Sequence, residues 1–178
     1  MIAGTTAAPS LLTLNSDLSL DDASVLQFQL GANSDQISVV GDLTLGGTLN
    51  ISNAGGFGPG TYTLFNYAGA LSVGTLTIGT TPASYTYTVD TSISGEVNLI
   101  VSLPQFGNIS VTPNGLVMRG SGGTTNAVYY LLSSTNLALP LTNWTRLLTN
   151  QFDSNGNFNF TNAINTNTLQ GFYRLQLQ

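Results

Sequence analysis

The chain has 178 residues, with no Cys, no His and no Lys, and 3 Arg against 8 carboxylates for a net charge of −5. Charged side chains make up 6% of it, against about 25% in an average soluble domain. That balance argues against nucleic acid and anionic membrane surfaces, which need many cations, and the missing Cys excludes disulfide frameworks and thiolate metal sites.

From the N-terminus, Met1-Ile2-Ala3-Gly4-Thr5-Thr6 has neither the basic start nor the long apolar core of a signal peptide. An exported form of this chain would therefore be a mature or recombinant product. Leu11-Leu12-Thr13-Leu14 reads as a strand, and Asp21-Asp22 as the turn before the next one. Leu26–Leu30 and Gln36–Val39 alternate apolar and polar residues, the pattern of a half-buried strand. Leu43–Leu45 and Thr48–Ile51 flank Gly46-Gly47, and Tyr62–Phe65, Leu76–Ile78, Tyr85–Val89 and Val97–Val101 continue the series. Gly, Pro, Asn and Asp break the runs every eight to twelve residues or so, the all-β signature. No apolar run approaches the ~20 residues of a spanning helix, so membrane insertion is not expected.

A boundary falls near Ser102-Leu103-Pro104-Gln105. Before it stand seven carboxylates and no Arg; after it stand all three Arg and only Asp153, giving the halves −7 and +2. The second half is predicted to hold strands at Ile109–Val111, Leu116–Arg119, Val128–Ser133, Trp144–Thr149, Asn157–Phe160 and Phe172–Leu177. Asn155-Gly156 between Phe152 and Phe158 predicts a two-residue hairpin. Ser134–Leu141 is a weak helical candidate, limited by Pro140.

Several segments carry a family resemblance. Leu30–Ile37, Gly41-Asp42-Leu43-Thr44-Leu45-Gly46-Gly47-Thr48-Leu49-Asn50-Ile51, Gly60–Leu64, Tyr85–Asp90 and Gly95–Val101 resemble the last turns of bacterial autotransporter-associated β-strand repeat proteins. Tyr129–Leu137, Asn143-Trp144-Thr145, Phe158–Asn162 and Phe172–Leu175 resemble a C-terminal β module found on such exported proteins. The resemblance implies right-handed β-helical turns, a terminal β module and an extracellular or cell-surface location. This chain is short for the family, which implies a capping or assembly piece rather than a long stalk.

Candidate chemistry is sparse. Without His, Cys or Lys the usual bases and activated nucleophiles are missing, so no catalytic residue, cofactor or metal is expected. Asp21 and Asp22 are the adjacent carboxylate pair, but neighbours on a strand point to opposite faces. Asp153-Ser154-Asn155-Gly156-Asn157-Phe158-Asn159 superficially resembles a calcium loop, yet Gly156 is fourth rather than sixth and Ile164 stands at the twelfth position where Glu belongs. Asn50, Asn108, Asn143 and Asn159 open glycan-acceptor patterns, which chance supplies in so Asn-rich a chain. Trp144 with Tyr129 and Tyr130 forms either a sugar-stacking platform or, the favoured reading, core. Phe172 and Tyr173 should face opposite sides of the last strand, one of them inward.

These readings combine into an all-β chain: a β-helix-like or β-sandwich N-terminal part followed by a small C-terminal β-sandwich module. Residues 1–20 form an arm or edge strand, 21–103 an acidic domain and 104–178 the module. The expected role is a non-catalytic extracellular structural protein that joins copies of itself head to tail. Unguarded edges at Leu11, Leu12 and Leu14 and at Leu175 and Leu177 would add strands between subunits. The alternative is a carbohydrate-binding or adhesin module with glycans as partners.

Overall fold

The computed structural model describes residues 9–165, 167 and 169–178; the start of the expected arm lies outside them. Fifteen strands and one short 3-10 turn, Leu141–Asn143, make up the regular structure of the described residues. They fall into two compact units. One runs up to Pro82 and includes Tyr87–Ser102, and the other comprises Ala83–Thr86 and Leu103–Gln178.

The first unit is a stack of coils. Coil one carries β1 (Leu11–Leu14), β2 (Leu18–Ser19) and β3 (Val25–Leu30). Coil two carries β4 (Gln36–Val39) and β5 (Leu43–Asn53), and coil three β6 (Gly60–Tyr67) and β7 (Leu71–Ile78). Each strand pairs in parallel with its equivalent on the next coil. Leu12 faces Ile37 and Ile37 faces Phe65; Leu18 faces Leu43 and Leu43 faces Leu71; Leu26 faces Leu49 and Leu49 faces Ile78. The expected pair of strands around Gly46-Gly47 is one strand, β5, with a register shift between Leu45 and Gly47.

The two-residue alternation turns one face of every strand into the coil interior. Leu26, Leu30, Ile37, Leu43, Leu45, Leu49, Leu64 and Phe65 are fully buried there, and Phe28 meets Phe65 edge-on at 5.6 Å. Parallel sheets are usually covered on both faces and read as unbroken apolar runs. These coils need cover only on the inside, so their sequence alternates. Beyond coil three, β9 (Glu96–Ser102) adds to β6 in antiparallel sense, and β8 (Thr86–Asp90) borders β9. A parallel β-helix-like stack thus passes to antiparallel pairing on one of its sheets.

The second unit is a β-sandwich. β10 (Gln105–Thr112), β11 (Gly115–Ser121) and β14 (Phe158–Asn162) form one antiparallel sheet. β12 (Val128–Ser134), β13 (Thr145–Gln151) and β15 (Phe172–Leu177) form the other. Side chains of both sheets meet in two clusters, one of Met118, Leu131 and Phe160, the other of Tyr129, Phe152 and Phe158.

Three sequence expectations need correction here. Asn155-Gly156 sits in a turn, with Gly156 at φ +72°, but no hairpin results. β13 before it and β14 after it lie in different sheets, so the turn carries the chain from one layer to the other, with Phe152 and Phe158 buried on either side. Between Ser134 and Leu141 there is no helix, only turns and then the 3-10 segment against Pro140. Trp144 is not core: it is half-buried at the end of that segment, its Nε1–H donating to the Leu139 carbonyl at 3.1 Å.

Candidate functional site

Among the described residues, the first coil presents unpaired main-chain edges. β1 terminates its sheet, and β2 and β3 border only β5. Among the described residues no strand pairs with their outer edges. β1 holds neither a charge nor Pro, the usual guards of such an edge. Leu11 points outward and is 60% exposed. Leu12 and Leu14 are half-buried on the opposite face, in register with Ile37 and Val39. Leu175 and Leu177 belong to the other unit, where both are partly buried against the Tyr129–Phe152–Phe158 cluster. Four of the five proposed assembly leucines therefore already pack within their own unit, and Leu11 alone is free to meet another surface.

A carboxylate device joins the coils, and sequence reasoning missed it. Asp17 Oδ1 accepts the amide of Asp42 at 2.7 Å, and Asp42 Oδ1 accepts the amide of Ala70 at 2.8 Å. Each Asp begins the same local sequence, Asp17-Leu18-Ser19-Leu20 and Asp42-Leu43-Thr44-Leu45; the third copy reads Ala70-Leu71-Ser72-Val73. That short repeat was the available signal. A side chain at Gly41 would collide with Asp17, and one at Gly69 with Asp42, so the residue before each inner corner must be small. Asn50 makes an equivalent bond, its Oδ1 accepting from Thr80 N at 2.6 Å. Asp35 is fully buried with no cation at hand; its two oxygens accept from the amides of Ser10 and Gln29, both at 2.8 Å, and lock the start of β1 to coil one's exit.

Of the remaining carboxylates, Asp21, Asp90 and Asp153 accept bonds within turns, and Glu96 in β9 accepts from Asn98 Nδ2 at 3.0 Å. Asp21 Oδ1 accepts from Ala23 N and Ser24 Oγ, while Asp22 is exposed. Asp153 Oδ1 accepts from the amides of Asn155 and Asn157, both at 2.8 Å. These bonds hold its pKa below the usual Asp value. The Asp90 carboxyl is likewise lowered by hydrogen bonds from Ser92, the backbone amide first. No cluster of three or more His, Cys, Asp or Glu suited to a metal ion occurs among the described residues.

The aromatic platform is not assembled. Tyr129 is fully buried, 4.7 Å from Phe152 between ring centroids. Tyr130 faces the other way and is covered by the Arg146 guanidinium, 3.7 Å above its ring, a cation–π contact. Of the last pair, Tyr173 packs on the Met118–Leu131–Phe160 cluster and its hydroxyl accepts from Asn162 Nδ2 at 3.1 Å.

No protein-family model matches the chain, and no solved structure matches it. Among curated proteins it is similar to the adhesin BmaC autotransporter of Brucella suis biovar 1 (strain 1330). The two are 36% identical over 129 residues, 65% of this chain. The chain spans 4% of that adhesin's length. The likeness makes this an autotransporter-related chain with a cell-surface or extracellular location.

Proposed function

We propose that this chain is a non-catalytic, adhesin-like segment of the bacterial surface, in which β-helix-like coils are followed along the chain by a β-sandwich. The observation that carries the reading is the coil register of the first unit in a chain related to an autotransporter adhesin. Parallel coils bonded through backbone and Asp ladders make a stiff support that needs no ligand to fold. Beads coated with the folded protein should adhere saturably to cultured epithelial cells and be displaced by excess free protein. Adhesion no better than that of albumin-coated beads would sink the reading.

A second reading, self-assembly into a fibre by strand addition between subunits, is supported by the unguarded outer edge of β1 and by exposed Leu11. The −7 and +2 halves favour a head-to-tail contact, and heterologous contacts of that kind grow into open filaments when they do not close. Electron microscopy of the same preparation separates the two readings: long regular fibres support assembly, and dispersed particles of single-chain size end it.

A further inference from the structure

The β-sandwich unit contains a cleft of about 590 Å³ whose lining is dominated by carboxamides. Strand alternation explains how it arises. Met118 and Phe160 point into the core, so Arg119 and Asn159, which face each other across β11 and β14, point out side by side. Asn108 lies in the irregular stretch of β10 between Phe106 and Ile109 and completes this polar row. Asn150 and Gln151 reach the cleft from the end of β13, and Asp153 and Asn157 from the following turn.

Two features distinguish the cleft from ordinary polar surface. Arg119 has no hydrogen bond or ion pair among the described residues, and the lining's single carboxylate, Asp153, already accepts three bonds from Asn155 and Asn157. The guanidinium is therefore unpaired, while the ionised Asp153 leaves the lining with no net charge. The floor of the cleft is Tyr129, whose hydroxyl is buried without a partner in hydrogen-bond geometry. Burial raises the pKa of this phenol, and the Asn150 side chain beside it offsets the rise in part. A buried hydroxyl without a bond is destabilising, and this is the one such side-chain atom among the described residues.

We propose that this cleft binds a saccharide carrying a carboxylate, with Arg119 taking the carboxylate and the carboxamides of Asn108, Asn150 and Asn159 taking ring hydroxyls. This deepens the adhesin-like reading and rests on it. A sugar hydroxyl both donates and accepts, and a carboxamide offers two donors and an acceptor on one planar group. Arginine matches a carboxylate with two parallel N–H···O bonds. No exposed aromatic ring lines the cleft, so recognition is through polar groups, and a neutral sugar forfeits its strongest contact.

The test is an NMR titration of the full chain with trigalacturonic acid, with maltotriose as the neutral control and acetate as the free anion. The expected result is saturable shifts in the side-chain amides of Asn108, Asn150 and Asn159. Binding of maltotriose should be at least about tenfold weaker, and R119Q should weaken trigalacturonate about tenfold, as loss of a charge-assisted bond implies. Arg119 is exposed, so R119Q should fold; N159A, on the neighbouring strand, is a second variant expected to weaken binding. The proposal is overturned by no saturation up to about 10 mM, by acetate binding as well as the trisaccharide, or by equal affinity in the wild type and both variants. Beads that still adhere when the trisaccharide does not bind would remove this site and leave the adhesin-like reading standing. Saccharide binding without bead adhesion would do the reverse.

Discussion

The two units bury apolar residues by opposite routes. In the coil stack the strands of the three coils pair with their equivalents one coil away, so Leu stacks on Leu or Ile, and Ile on Phe, in register and much of the interior is a set of ladders. In the sandwich the strands pair in antiparallel sense and two sheets face each other, so the interior is two local clusters built around large rings. The coil interior is filled mainly by Leu, Ile and Val, with Phe28 and Phe65 among them. The sandwich must fill the gap between layers, and it does so with Phe106, Tyr129, Phe152, Phe158 and Phe160. The polar groups differ in the same way. The coils use Asp17, Asp42 and Asn50 to tie one coil to the next through backbone amides, whereas the sandwich uses Asp153 only inside one turn.

The largest expected effect separates the units thermodynamically. Phe28 is 1% exposed and contacts Phe65 across the coil interior. Phe28→Ala should destabilise the coil stack by about 3–5 kcal/mol, the usual loss for a buried ring. Trp144, the one Trp of the chain, lies in the sandwich and reports on that unit alone. In urea the far-UV signal of the variant should begin to fall well before the Trp fluorescence changes. A single coincident transition shifted as a whole would show that the units fold as one and would break the comparison.

A smaller effect of opposite sign is expected in the sandwich. Tyr129→Phe removes a buried hydroxyl that makes no bond and keeps the ring against Phe152 and Phe158. It should stabilise the sandwich by about 1 kcal/mol, the low end of what an unsatisfied buried polar group costs. Trp fluorescence on urea titration measures it. A destabilised variant would mean that the hydroxyl has a partner in the free protein.

How much of this was legible depended on whether the signal was local. Strand positions were, because alternation is written in neighbouring residues: Gln36–Val39 and Phe172–Leu177 coincide with β4 and β15. That Leu12 and Leu14 share one face and Leu11 takes the other follows from the same period, but their expected pockets lay in a neighbouring subunit and not in their own coil. Partner choice was not local. Asn155-Gly156 carries the turn residues of a hairpin, but Phe152 and Phe158 both enter one cluster, and the shared burial pulls β13 and β14 into opposite layers. Trp144 looked like core because of its size; Tyr129, Phe152 and Phe158 fill that space instead. The polar cleft was illegible for a related reason. Asn108, Arg119, Asn150 and Asn159 come from four strands whose neighbourhood only the fold creates.

The smallest expected effect is a pH dependence in which each unit contributes one tuned acid. Asp90 in the coil stack and Asp153 in the sandwich both hold lowered pKa values because backbone amides bond to their carboxylates. A carboxyl whose pKa is lower folded than unfolded stabilises the fold above its unfolded value, and that stabilisation is lost as pH falls through the folded value. The ordinary value is 3.8 for both, so the window lies below about pH 4. Asp153 is exposed and Asp90 half-exposed, and solvent screens their contribution. The expected outcome is therefore a shallow acid slope. In the sandwich, Asp153→Asn should flatten the part of that slope seen by Trp fluorescence, making the variant slightly less stable than wild type at pH 7 and equal to it near pH 2. Asp90→Asn should leave the Trp signal unchanged and flatten only the far-UV component. If Asp90→Asn instead moved the Trp transition, the acid response would be shared across the boundary near Ser102, and the two units could no longer be treated as separate folding problems.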